Sequence, residues 1–117
     1  MTVYLVLIRE SISDLKEYDE KYRKRVPASF VGRNVTPVAQ SRTSGMMVLE
    51  GPEIEGMAIT SFPTMEEAKA WFDSPEYQAA RKGREGIANC RILVCEATNP
   101  EQTQGFREPG DNPGTAK

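Results

Sequence analysis

The sequence predicts a single α+β domain with the element order β-α-β-β-α-β, the ferredoxin-like plait. Three observations carry that prediction. The chain opens on a continuous apolar run rich in β-branched residues. Two helical segments with their own capping signals follow at the second and fifth places. The hydrophobic period switches between strand and helix spacing in step with them.

Val3 to Ile8 has no polar interruption except Tyr4, which reads as a buried strand. Ser11-Ile12-Ser13-Asp14 offers a helix cap, after which Leu15, Tyr18, Tyr22 and Val26 recur at helical spacing with charged residues between them. Pro27 should end or disturb this helix. Val35 to Leu49 alternates more weakly, with a turn expected at Thr43-Ser44-Gly45 before a strand segment Met46–Leu49 that Gly51-Pro52 closes. Met57 to Phe62 is the third strand. Thr64 as N-cap, with Glu67 three residues on, forms a capping box for a helix carrying Ala68, Trp71 and Phe72. Ser74-Pro75-Glu76 is a second cap with proline at the first helical position, so the helix breaks and restarts. Arg91 to Cys95 is the last strand.

Composition sets the outer bounds. With 117 residues the chain has the length of one domain. It has no apolar run long enough for a membrane span, and its first residues read as a strand and not as a secretion signal. Fifteen basic against 17 acidic residues leave a net charge of −2, with no electrostatic footprint for nucleic acid. There is no histidine, which removes the commonest general base and metal ligand. No glycine loop of the phosphate-cradling or dinucleotide type follows a strand, so neither cofactor nor metal is expected.

Cys90 and Cys95, five residues apart in one strand, fall on opposite faces and roughly 16 Å apart. They cannot pair within that strand, and structural thiols in a reducing cytoplasm are the expectation. The composition changes at Thr98. From there to Lys117 only Phe106 and Ala116 are apolar, among three prolines and three glycines. The expected organisation is therefore a domain over residues 1–97 and a flexible or partner-draping tail over 98–117.

Phe62-Pro63-Thr64-Met65-Glu66-Glu67-Ala68 and Ala70-Trp71-Phe72-Asp73-Ser74-Pro75-Glu76-Tyr77 resemble the central motif of the domain of unknown function 1330 family. The opening strand, Tyr18 and Tyr22, then Arg81, Arg84 and Arg91 to Glu96, extend the similarity over about residues 2–97. The resemblance implies a homodimer, a dimeric α+β barrel in which two plaits pair their sheets around a central cavity. The family pattern is kept least in the middle segment, where only Gly32, Arg42 and Gly45 match. The strands point to a dimer independently. Both parities are apolar, Leu5, Leu7 and Leu93 on one and Val6, Ile8 and Val94 on the other, so neither sheet face suits water.

A small-molecule ligand is then expected between the facing sheets. Polar residues embedded in the strands are the candidates: Tyr4, Arg9, Glu50, Thr60, Ser61, Arg91 and Glu96. Desolvation would raise the pKa of Glu50 or Glu96 and suit either to general acid–base work. Arg9, Arg42 or Arg84 would hold an enolate, and Tyr18 or Tyr22 would donate a phenol proton to an oxyanion. Phe30, Arg33 and Trp71 complete the candidate ligand set with Tyr4 and Ser61. Without histidine, Ser61 has no partner for a serine-hydrolase triad, and haem ligation lacks its usual ligand. Two function classes remain. One is a cofactor-independent enzyme moving protons on a small carbonyl or phenolic metabolite, of isomerase, cyclase, lyase or monooxygenase type, in catabolism or secondary metabolism. The other is a non-catalytic dimer that holds a metabolite. A packed dimer without a cavity is the third possibility.

Overall fold

A computed structural model describes residues 1–97 of the chain; the expectation of a flexible tail concerns residues outside that range. Among the described residues β1 (Val3–Ile12) leads into α1 (Leu15–Lys21). A 3-10 turn over Arg23–Arg25 follows, then α2 (Val26–Ser29) and β2 (Thr36–Arg42). β3 (Gly56–Phe62), α3 (Met65–Asp73), α4 (Pro75–Lys82) and β4 (Ala88–Glu96) complete the order. The strands form one antiparallel sheet in the order β2-β3-β1-β4. This is the predicted ferredoxin-like plait.

The capping signals act as their chemistry dictates. The Asp14 side chain accepts from the Glu17 N–H and starts α1, and Thr64 Oγ1 accepts from Glu67 N–H at 3.1 Å to start α3. Ser74 closes α3 and opens α4, where its Oγ accepts from Tyr77 N–H at 3.2 Å with Pro75 in the first turn. Pro27 does not simply end the first helix. It occupies the first turn of α2, where its missing N–H costs nothing.

Register decides which side chains share a face. Val3, Leu5, Leu7 and Arg9 of β1 point to the helices, opposite Phe62, Thr60, Ala58 and Gly56 of β3. On β4, Val94 stands opposite Leu5 and Leu93 opposite Val6. The grouping by sequence parity is thereby corrected: Val94 belongs to the helix face and Leu93 to the open one, because an antiparallel register, not residue number, sets the pairing. Tyr4, Val6, Ile8, Met57, Ile59 and Leu93 make the open face mostly apolar, with Ser61 and Arg91 its polar members and Tyr4 and Leu93 still 37% and 44% exposed.

The strand expected over Met46–Leu49 does not form. After a 3-10 turn at Thr43–Gly45 the chain is irregular, with Met47 and Leu49 exposed. Both edges of β3 are already taken by β1 and β2, and the loop is tied back through Thr43 Oγ1 to the Glu55 carbonyl and Glu55 N–H to the Arg9 carbonyl.

The core lies between sheet and helices around Leu5, Tyr18, Phe62, Trp71 and Tyr77. Its order of packing is specific. Trp71 contacts Tyr77 at a ring-centroid distance of 4.2 Å and stacks on Phe30 at 5.2 Å, and its Nε1–H donates to Ser29 Oγ at 2.8 Å. Gly83 allows the end of α4 to approach α1, since a Cβ there would lie 2.0 Å from the Lys21 carbonyl oxygen.

Candidate functional site

α3 packs across β1, β3 and β4, and the stretch of sheet beneath β2 stays open. There the described residues form a cleft of about 490 Å³, within the ~300–1,000 Å³ usual for small-molecule sites. Its walls come from α1 and α2 (Tyr18, Tyr22, Val26), from β1 and β3 (Leu7, Arg9, Thr60), and from Phe30 and Trp71. This cleft is on the helix side of the sheet, whereas a ligand was expected on the opposite, open face. The helix face holds the polar groups because Arg9 and Thr60 share the parity of the core residues Leu5 and Leu7.

Arg9 is 8% exposed and crosses the sheet under β3 to β2, its Nη2–H groups donating to the Ser41 carbonyl of β2 at 2.9 Å and the Met57 carbonyl of β3 at 3.5 Å. Both of its hydrogen bonds among the described residues leave from Nη2. The guanidinium carbon lies 5.9 Å from the centroid of the Tyr18 ring. No carboxylate pairs with Arg9 among the described residues.

Tyr18 on α1 and Tyr22, the residue that caps its C-terminus, are one helical turn apart, so their rings meet, at 5.2 Å. Their hydroxyls differ. Tyr22 shares a buried 2.9 Å hydrogen bond with Tyr77, and burial together with that neighbouring phenol pushes its pKa up. The Tyr18 hydroxyl is buried with no hydrogen-bond partner within 3.5 Å among the described residues, as is Thr60 Oγ1. Desolvation, then the Cys90 thiol, raise the Tyr18 pKa to about 12 against the pull of Arg9, whose guanidinium lies near enough to act on the phenol both as a charge and as a donor, and of Arg84, so the phenol stays neutral at physiological pH. Buried polar atoms are nearly always partnered. Of the three side-chain atoms among the described residues that are not, two belong to residues lining this cleft.

The remaining expectations divide cleanly. Arg9, Tyr18, Tyr22, Phe30 and Trp71 come together at the cleft. Arg84 is buried beside it, its Nη2–H donating to Tyr77 Oη at 3.5 Å and its guanidinium carbon 5.1 Å from the Tyr22 ring centroid. Desolvation opposes the Arg84 charge, but the Tyr77 hydroxyl and the Cys90 thiol outweigh it and hold the guanidinium protonated. Tyr4 and Ser61 are register partners on the open face. Arg33 lies with Ser61 near the start of β2.

Glu50, Glu96 and Arg42 are not brought to the cleft. Glu50 is exposed in the irregular segment after Gly45, and Glu96 is exposed as the last residue of β4. Arg42 is exposed and pairs with Asp19 at 3.1 Å. The Asp19 carboxyl is held low: its slight desolvation acts the other way, and hydrogen bonds from Arg23 and Arg42 prevail. No glutamate or aspartate lines the cleft among the described residues. Thr60 was visible as a polar residue inside a strand, but only register puts it on the cleft side; Tyr77, Ser29 and Cys90 carried no signal of a polar cluster in sequence.

Among the described residues no helix is long and apolar enough to cross a membrane, and no three His, Cys, Asp or Glu residues are grouped as metal ligands.

Solved structures share this fold at low sequence identity. A protein of unknown function from Rhodopseudomonas palustris superposes with a TM-score of 0.65 at 16% identity, over 85% of this chain and 84% of its own. A dimeric protein of unknown function and ferredoxin-like fold from Bacteroides fragilis gives 0.56 at 14% identity, over 82% and 96%. A single-site variant of SnoaB, a cofactor-independent oxygenase from Streptomyces nogalater, gives 0.59 at 11% identity, over 84% and 94%. No functionally curated protein matches the sequence. The sequence model of one family spans residues 2–98, the whole plait with its paired capping motifs and both cleft tyrosines: the chain belongs to the domain of unknown function (DUF1330) family.

Proposed function

We propose that the chain binds a small, mostly apolar carbonyl or phenolic metabolite in the helix-side cleft and holds it as its oxyanion, an enolate or phenolate. The observation that carries this is the pair of buried hydroxyls, Tyr18 and Thr60, unpartnered among the described residues, beside a guanidinium, Arg9, that hydrogen-bonds through Nη2 alone and pairs with no described carboxylate. Fixed donors in a low-dielectric cleft favour the charged form of the ligand and so lower its pKa, which is the electrostatic half of cofactor-independent proton chemistry. The likeness in fold to a cofactor-independent oxygenase accords with such chemistry. The proton itself leaves to water at the cleft mouth, since Glu50 and Glu96 lie elsewhere.

The absence of a carboxylate from the cleft wall among the described residues favours a second reading, a dimer that holds the metabolite without turning it over. In both readings the apolar open face is covered by a second copy of the chain, sheet against sheet.

Titrating a nitrophenol, whose ionisation is visible by absorbance, tests the site. The bound phenol should ionise at lower pH than the free one, an effect lost in Arg9→Met and reduced in Tyr18→Phe. Glu50→Gln and Glu96→Gln should leave it within about twofold, as for surface changes generally. An unshifted phenol in the wild type contradicts the proposal. Hydrogen–deuterium exchange at the α-carbon of an enolisable ketone separates the readings, since catalysed exchange requires turnover and a holder gives none.

A further inference from the structure

We propose that the cleft between α3, α4 and β4 is a second binding site, which takes a small carboxylic acid with an apolar body. This cleft, of about 390 Å³, shares only Leu5 with the first. Phe72, Ile92 and Val94 give it an apolar wall, and Arg81 and Arg84 give it charge.

Arg84 is the unusual member. It is 9% exposed, and among the described residues its Nε has no hydrogen-bond partner and its one hydrogen bond goes to a neutral phenol, Tyr77 Oη, at 3.5 Å. Neither Arg84 nor Arg81 belongs to any of the five ion pairs among the described residues. Arg81 is held over the Phe72 ring, 5.9 Å from its centroid, and among the described residues donates only to Gln78 Oε1, at 3.4 Å. Lys69, also on the wall, is already neutralised by Asp73. Among the described residues the one hydrogen-bond partner of Arg84 is thus a neutral group and not an anion, and a buried cation gains most from an anion that pairs it. A guanidinium with a free Nε–H pairs best with a planar carboxylate. The apolar wall then specifies the rest of the ligand: a hydrocarbon chain or ring, not a phosphate or a sugar acid.

The test uses the full-length protein with methyl-labelled side chains, titrated in parallel with octanoate and with 1-octanol and followed by NMR. Octanoate should shift the methyl signals of Ile92 and Val94 saturably, leave those of Val26 and Ala58 in place, and bind at least about tenfold more tightly than octanol, as a charge-assisted hydrogen bond implies. Arg84→Met should abolish that preference. Because this buried variant can fail to fold, Arg81→Gln provides a milder second arm, expected to weaken octanoate alone. Equal affinity for the acid and the alcohol, shifts confined to Val26 and Ala58, or no saturable shift would each overturn the proposal.

Discussion

Gly56 stands opposite Arg9 across β1 and β3, and a Cβ at position 56 would lie 2.6 Å from Arg9 Nη2 and 2.6 Å from the Ser41 carbonyl oxygen. The missing side chain is what lets the guanidinium pass beneath β3 and tie β1 to β2 at the edge of the cleft. A backbone φ of +150° at the same position adds a conformational reason for glycine.

Gly56→Ala therefore forces Arg9 out of its path. A loss of about 1–3 kcal/mol in chemical denaturation is expected, typical of overpacking, together with weakened phenol binding. Gly51, also at positive φ but with nothing within 4 Å of its would-be Cβ, is the control. Gly51→Ala should cost about 1 kcal/mol through the backbone alone and leave phenol binding intact.

Tyr18 of α1 and Tyr22 at its C-terminal cap should respond in opposite ways to loss of the hydroxyl. Tyr18→Phe removes a buried group that has no partner, so stability should stay level or rise by up to about 1 kcal/mol while phenol affinity falls. Tyr22→Phe breaks the 2.9 Å bond to Tyr77 and should cost about 1–2 kcal/mol. Thermal melts with and without the phenol distinguish the pair; a Tyr18→Phe variant that melts markedly lower would mean its hydroxyl has a partner in solution.

Alkaline titration provides a further check. The Tyr18 pKa is raised from 10.0 to about 12, so the folded state keeps its proton where the unfolded chain has lost it. The stabilisation is fully present below pH 10 and is lost as pH rises from there through about 12. The difference in unfolding free energy between wild type and Tyr18→Phe should accordingly be flat below pH 10 and move in favour of the variant above it. A difference independent of pH across that window would mean the phenol is not desolvated.

The parts of the fold set by local chemistry were legible in sequence. Thr64, Ser74 and Asp14 cap the helices for which their spacing suits them, and the Tyr18–Tyr22 stripe faces inward as its helical period requires. Properties set between elements were not. The pairing of Leu93 with Val6 and of Val94 with Leu5 depends on a register that no single strand encodes. Glu50 looked like a strand-end carboxylate only because Met46–Leu49 looked like a strand, and that segment has no free strand edge of β3 to join. For the same reason Thr60 belongs with Arg9 at the cleft while its neighbour Ser61 pairs with Tyr4 on the other face.

The open face makes its own prediction. With Leu93 and Tyr4 exposed among Val6, Ile8 and Ile59, a second copy should cover the sheet. Light scattering should give a dimer for the wild type, and Leu93→Asp, which places a charge in that interface, should shift it to monomer by more than about tenfold in Kd. A monomeric wild type would contradict sheet-to-sheet pairing.

The most direct measurement is a crystal structure of the protein with a nitrophenol bound. The account predicts the phenolate oxygen within hydrogen-bond distance, about 2.6–3.1 Å, of both the Tyr18 hydroxyl and an Arg9 nitrogen, with its ring between Phe30 and Leu7 on the helix side of the sheet. A phenol lodged instead on the open face beside Tyr4 and Ser61, with the helix-side cleft filled by protein, would contradict it.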